Sequence, residues 1–200
     1  EITERKYVSI LNIHHLKGGK IILNLLKKLN KKIPILLINT ERLNPLLTEI
    51  ENAVKERNSI SNINIYHNSK VDNIKEIYAK SRIILIPSVV DETFCRVGYE
   101  AMMNGIPTLA TNSGNLRYLL KDYADFLDKY NAPEWLNRIE GIYFNKKKCE
   151  QMSKRPKTIK YPEEIYQKYM DFIDRRPVDS IAVPLTDVGF GSAVVKLLLS

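Results

Sequence analysis

Short apolar runs alternate with amphipathic stretches along most of the chain. Tyr7-Val8-Ser9-Ile10-Leu11-Asn12-Ile13 reads as a strand. Lys20 to Leu29 then carries Ile21, Ile22, Leu25, Leu26 and Leu29 on one helical stripe. Ile33 to Ile38 is a second strand with Pro34 at its start. Leu46 to Glu56 predicts a helix, and Ile63 to Tyr66 a third strand. Asp72 is placed to N-cap a helix running to Ser81. Arg82-Ile83-Ile84-Leu85-Ile86-Pro87 is a fourth strand, apolar on both faces as in the middle of a parallel sheet. Val97 to Asn104 reads as a helix stopped by Gly105, Ile106 to Ala110 as a fifth strand, and Leu116 to Leu120 as a further helix. Such alternation predicts an α/β fold, a Rossmann-like doubly wound parallel sheet with helices on both faces. Ligands of these sheets bind beyond the carboxyl ends of the strands, near the point where strand order reverses.

Composition narrows the class. Of the 200 residues, 44% are hydrophobic and 27% charged, which suits a packed core and excludes a disordered chain. Two cysteines and three histidines exclude a disulfide scaffold and a four-cysteine zinc site, and no metal centre is expected. No apolar run reaches the ~20 residues of a membrane span. The charged start at Glu1 to Lys6, with no apolar run behind it, does not read as a signal peptide. The expectation is a cytoplasmic protein.

The net charge of +8 raises a polyanionic partner. It is unevenly spread: Asp91 to Trp135 holds seven acids and four bases. Many lysines fall on helical stretches (Lys27, Lys28, Lys31, Lys32) or in Lys146-Lys147-Lys148, where a solvated face is the simplest reading. Aromatics do not interleave with Lys and Arg as in an RNA-binding sheet, so no nucleic acid is expected. Pro177 to Ser200 holds five valines and no asparagine. It is read as a separate tail, 177–200, either an extension or vector-derived sequence, behind a domain at 1–176.

The chemistry concentrates between Ile86 and Leu120. A buried strand ends at Pro87-Ser88. An acidic loop with Asp91 and Glu92 follows, then Phe94-Cys95-Arg96 opens a helix that carries Glu100. Unpaired backbone N–H groups and the positive dipole end make that helix start a site for phosphate. A carboxylate can accept two hydrogen bonds from a sugar diol. A phosphate site flanked by two diol carboxylates describes a nucleotide-sugar. After the first strand, His14-His15-Leu16-Lys17-Gly18-Gly19 is a turn in which Lys17 can neutralise phosphate. It matches neither a Walker A loop nor the GxGxxG fingerprint.

Together these motifs resemble the donor-binding half of retaining glycosyltransferases of the GT-B fold, the large family 4 group. The resemblance rests on Lys17-Gly18; Pro87-Ser88; Glu92, Phe94 and Glu100; Ala101-Met102; Gly105-Ile106-Pro107; and Gly114-Asn115. It spans roughly residues 7 to 174. It implies that Glu100 binds the ribose hydroxyls and that Glu92 holds the transferred sugar. Backbone N–H groups around Phe94, Cys95 and Arg96 would meet the diphosphate, and Lys17 would stabilise the leaving phosphate. The implied reaction is metal-independent transfer of a hexosyl unit, with retention, from a UDP- or GDP-linked sugar to a glycan or lipid-linked acceptor. No cofactor is implied beyond that donor. The implied partners are the donor, an N-terminal acceptor-binding domain beyond this chain, and a peripheral membrane contact.

Three positions depart from the family pattern. Asn12-Ile13-His14-His15, with no Arg, stands in the region where many members have Gly-Arg, Cys95 where a glycine is usual, and Arg117-Tyr118 where an acid often follows the turn that is Gly114-Asn115 here. The resemblance implies two Rossmann-like domains of similar size with the active site between them, and this chain reads as the second alone, so it is expected to bind donor weakly and transfer little. A non-catalytic degenerate binding module and a same-fold sugar-nucleotide epimerase remain alternatives. Elsewhere, His14 and His15 read as turn residues and His67 as a surface-loop residue. Cys95 is not read as a nucleophile, since no His–acid pattern accompanies it. Cys149 reads as incidental. Trp135, Tyr143 and Phe144 read as core or interdomain packing.

Overall fold

Residues with alternating outward directions are buried throughout β1 (Tyr7–Ile10), so this strand is covered on both faces. The computed structural model describes residues 5–39, 45–58, 63–67 and 74–156, and of 58 and 63–67 the backbone alone. Beside β1 lie β2 (Ile35–Asn39), β3 (Ile63–His67), β4 (Ser81–Ile86), β5 (Thr108–Thr111) and β6 (Asp125–Leu127). They form one parallel sheet in the order β3-β2-β1-β4-β5-β6. Parallel neighbours need crossovers, which the helices supply. These are α1 (Gly19–Lys28), α2 (Leu47–Asn58), α3 (Ile74–Lys80), α4 (Arg96–Met103), α5 (Leu116–Leu120), α6 (Ala132–Tyr143) and α7 (Lys146–Ser153). Strand order reverses between β1 and β4, so the loops following those two strands flank the switch point.

Alternate strand residues divide the interior into two layers. Val8, Ile10, Ile35, Leu37, Ile83 and Leu85 join one core cluster with Ile22, Leu25, Ile50, Trp135, Ile139 and Cys149. α1, α2, α6 and α7 therefore cover that face. α4 and α5 lie on the other, where Gly98 fits so closely that a Cβ would sit 3.1 Å from both Ile86 and Leu120. The apolar stripe read from the sequence of α1 is buried at Ile21, Ile22, Leu25 and Leu26. α1 ends against Arg57 of α2. Its guanidinium is buried and donates to the carbonyls of Leu26, Leu29, Asn30 and Ile33. A cation there satisfies carbonyls that the helix leaves open. Burial lowers the pKa of Arg57.

Several expectations need adjusting. The first strand stops at Ile10, not Ile13, and frees Leu11 to Gly18 to form a loop at the switch point. Pro34 lies outside β2, its carbonyl accepting from the Val8 N–H. β6, α6 and α7 extend the fold beyond the elements read from sequence. Trp135 is fully buried, as expected, but Phe144 is 55% exposed and is not core. Cys149 is not incidental: it is fully buried in the core cluster. Asp72 and the boundary after residue 176 lie outside the described residues. So does the side chain of His67, whose backbone closes β3.

Candidate functional site

The loop after β1 folds back across the end of β4. His14 Nδ1 accepts from the Leu16 N–H and caps a 3-10 turn, His15–Lys17. The turn ends at Gly18, whose φ of 86° is left-handed. A Cβ at Gly18 would lie 2.2 Å from the Pro87 carbonyl oxygen. Glycine therefore lets the Lys17 turn press directly onto the Pro87-Ser88 strand end. The Val89 N–H donating to the Leu16 carbonyl, at 3.0 Å, locks the two loops together. His14 and His15 are turn residues, their rings 4.0 Å apart.

The loop after β4 is braced from the other side. Thr111 and Ser113 hydroxyls both donate to the Ser88 carbonyl, at 2.6 and 3.0 Å. Gly114 forms an isolated parallel bridge with Glu92. Its φ is 58°, and an added Cβ would fall 2.5 Å from the Glu92 backbone nitrogen and oxygen. The Asn115 N–H donates to the Glu92 carbonyl at 2.8 Å. The Glu92 backbone is thus fixed before any ligand arrives.

Its side chain is fixed as well. Glu92 Oε1 accepts from Lys17 Nζ at 2.6 Å and from the Ser88 hydroxyl. The Glu92 side chain is only 11% exposed, and that of Lys17 31%. Both donors share one oxygen, which leaves Oε2 to accept elsewhere, while the ammonium keeps two further N–H donors.

Lys17, Ser88, Glu92, Phe94, Cys95, Arg96 and Val97 line a hollow of about 170 Å³, floored by Ile10, Leu11, Leu85 and Ile86. Five of the six predicted site residues therefore meet in one place. Cys95 is the N-cap residue of α4, and Arg96, exposed, is its first residue. Burial pushes the Cys95 thiol up to about 11; the N–H groups of Gly98 and Val97 pull the other way. The helix start faces the hollow with the Lys17 ammonium nearby, so the positive end of α4 and a cation converge on it.

Glu100 is the exception: it does not line the hollow. It lies half-buried four residues into α4, about 6 Å further along the helix axis. Its Oε2 accepts from the Tyr78 hydroxyl of α3 at 2.6 Å. Ser88 and Tyr78 partner the two glutamates, a role that the sequence assigns to neither. Ser88 lies inside the Pro87-Ser88 motif, whereas Tyr78 carries no motif. A larger, more open hollow of about 480 Å³ lies among Asn131, Pro133, Glu134, Asn137, Arg138 and Lys148, and none of the predicted site residues borders it. Among the described residues, no group of three His, Cys, Asp or Glu side chains could hold a metal ion, and no helix is long and apolar enough to cross a membrane.

The fold is similar to several solved structures. HepE from Anabaena, in complex with UDP and glucose, superposes with a TM-score of 0.70 at 16% identity, over 86% of this chain and 49% of its own. The present chain thus spans about half the length of HepE. The catalytic domain of starch synthase IV from Arabidopsis thaliana, bound to ADP and acarbose, gives 0.63 at 18% identity, over 86% of this chain and 38% of its own. The C-terminal domain of a glycosyl transferase group 1 family protein, LpcC from Francisella tularensis, gives 0.63 at 17% identity, over 82% of this chain and 85% of its own. No curated protein matches the sequence. The family model for glycosyl transferases group 1 matches residues 2–158. That match takes in the whole sheet and both loops of the hollow, and the chain belongs to the glycosyl transferases group 1 family, with a domain of the GT-B fold.

Proposed function

We propose that this domain binds the nucleotide-sugar donor of a retaining glycosyltransferase that moves a hexosyl unit to a glycan or lipid-linked acceptor. The observation that carries the reading is the Lys17–Glu92 pair at the mouth of α4. The diphosphate would sit against the first N–H groups of α4, with Lys17 and Arg96 supplying positive charge. Glu92 Oε2 would accept from hydroxyls of the transferred sugar. Glu100, further along the same helix, would take the ribose diol. The hollow holds only the middle of such a ligand; the nucleoside and the hexose would extend from its two sides. HepE was solved with UDP and glucose, and the starch synthase with ADP, on the same fold.

In the reaction, the bond between the anomeric carbon and the diphosphate oxygen breaks and its electron pair leaves with the diphosphate. The acceptor oxygen forms the new bond on the same face of the sugar, and its proton passes to the departing diphosphate. Lys17 and the helix start stabilise the negative charge as it develops. The acceptor would come from a second domain across the cleft, at a membrane surface where the acceptor is lipid-linked.

A non-catalytic relative is favoured by one observation: a buried Cys95 side chain stands at the N-cap of α4, among the residues that line the hollow. Calorimetric titration of the chain with UDP, GDP and their glucose and mannose conjugates separates the two. Donor binding predicts saturable heat with at least one nucleotide. Absence of heat with all of them overturns the proposal in favour of a scaffold.

A further inference from the structure

We infer that Tyr78 is a positioning residue for nucleotide recognition: its hydroxyl fixes one oxygen of Glu100 so that the other is presented to the ribose. The inference rests on the donor-binding reading above. Tyr78 belongs to α3, a helix outside both loops of the hollow, and is itself buried. Its hydroxyl donates to Glu100 Oε2 at 2.6 Å. A bare glutamate in the middle of an eight-residue helix can swing about three side-chain bonds. Holding one oxygen removes most of that freedom, so a diol need not meet the cost of ordering it.

Three features make the contact more than a staple between helices. Among the described residues only Oε2 is used, which leaves Oε1 its acceptor capacity. The phenol also lies within electrostatic reach of Cys95 and Arg96, two residues that line the hollow. Finally, burial and the adjacent Glu100 carboxylate raise the Tyr78 pKa far above its ordinary value, so the hydroxyl remains a donor at any working pH. The arrangement parallels that at Glu92, where Lys17 and Ser88 share Oε1 and leave Oε2 open. Each glutamate is held by one oxygen and offers the other.

The test is ribose discrimination. UDP, GDP and their 2′-deoxy counterparts are titrated into the full chain, wild type and Tyr78→Phe. The wild type is expected to prefer the ribonucleotide. Tyr78→Phe keeps the ring in the core and is expected to reduce that preference about three- to tenfold. In a Glu100→Ala background, Tyr78→Phe should change the preference no further. A purely structural contact would lower thermal stability and leave the preference intact; that result overturns the inference alone. A wild type that binds nucleotides without ribose preference overturns the assigned role of Glu100 and the inference with it. A wild type that binds no nucleotide overturns the donor reading itself.

Discussion

Lys17 Nζ and Glu92 Oε1 lie 2.6 Å apart although 75 positions separate them in the chain. The pair joins the loop after β1 to the loop after β4 across the switch point. Its members should have separable roles. If Lys17 faces the diphosphate as proposed, Lys17→Met should weaken binding of the free nucleoside diphosphate about tenfold or more. Glu92→Gln should leave that affinity nearly unchanged and abolish the extra affinity of the sugar conjugate. Parallel titrations with nucleotide and nucleotide-sugar check this. The double variant should be non-additive, with a coupling of about 1 kcal/mol.

Two of the left-handed glycines, Gly18 and Gly114, predict loss of stability together with loss of the site. Gly18→Ala would drive a Cβ into the Pro87 carbonyl, and Gly114→Ala into the Glu92 backbone. Each should cost about 2 kcal/mol or more in urea unfolding, from positive-φ strain and backbone collision. Nucleotide affinity should fall even under conditions where the variant stays folded, because both loops of the hollow must part.

Arg57→Met should separate stability from function. It strips donors from four carbonyls at the end of α1, and unfolding should become easier by about 3 kcal/mol. The site lies at the opposite end of α1, roughly 15 Å away, so nucleotide affinity should be unchanged. A lowered affinity in the folded variant would contradict the account of Arg57 as a helix-end anchor.

Cys95 predicts a specific alkaline weakness. Its thiol is raised from 9.0 to about 11 by burial, so the unfolded chain loses its proton first as pH rises. The unfolded state binds fewer protons between pH 9 and 11, and stability must fall across that window. The loss should be about 2 kcal/mol larger in wild type than in Cys95→Ala, in urea unfolding at pH 8 and pH 11. Below pH 9 the two curves should run parallel. Alkylation of Cys95 at pH 8 should also be about a hundredfold slower than that of an exposed thiol, since the thiolate is scarce.

Much of the layout was legible because it is local. The stripe Ile21, Ile22, Leu25, Leu26 identifies α1 by period, and the apolar run Arg82 to Ile86 marks a strand covered on both faces. β6 was not legible: Asp125-Phe126-Leu127 has three residues and begins with a charge that pairs with Arg138 and Arg155. α6 carries its own local signals. Asn131 caps it, Pro133 sits in its first turn, and Trp135, Ile139 and Ile142 form its buried stripe. In the site, Lys17, Glu92 and the start of α4 were marked by their motifs. The partners Ser88 and Tyr78 were not, since which hydroxyl meets which carboxylate depends on packing between elements far apart in sequence. The separation of Glu100 from the hollow had the same origin. Seven residues between the two glutamates allowed a shared border, and the direction of α4 carries Glu100 past it.

The central claim is that the start of α4 and the Lys17 turn form the binding place for the donor's diphosphate. Amide chemical shifts recorded as UDP-glucose or GDP-mannose is added test it most directly. The account predicts that the largest shifts fall on Lys17, Gly18, Glu92 and Phe94 to Gly98, with smaller ones near Tyr78 and Glu100. Shifts centred on Asn131 to Lys148, or none with either donor, would contradict it.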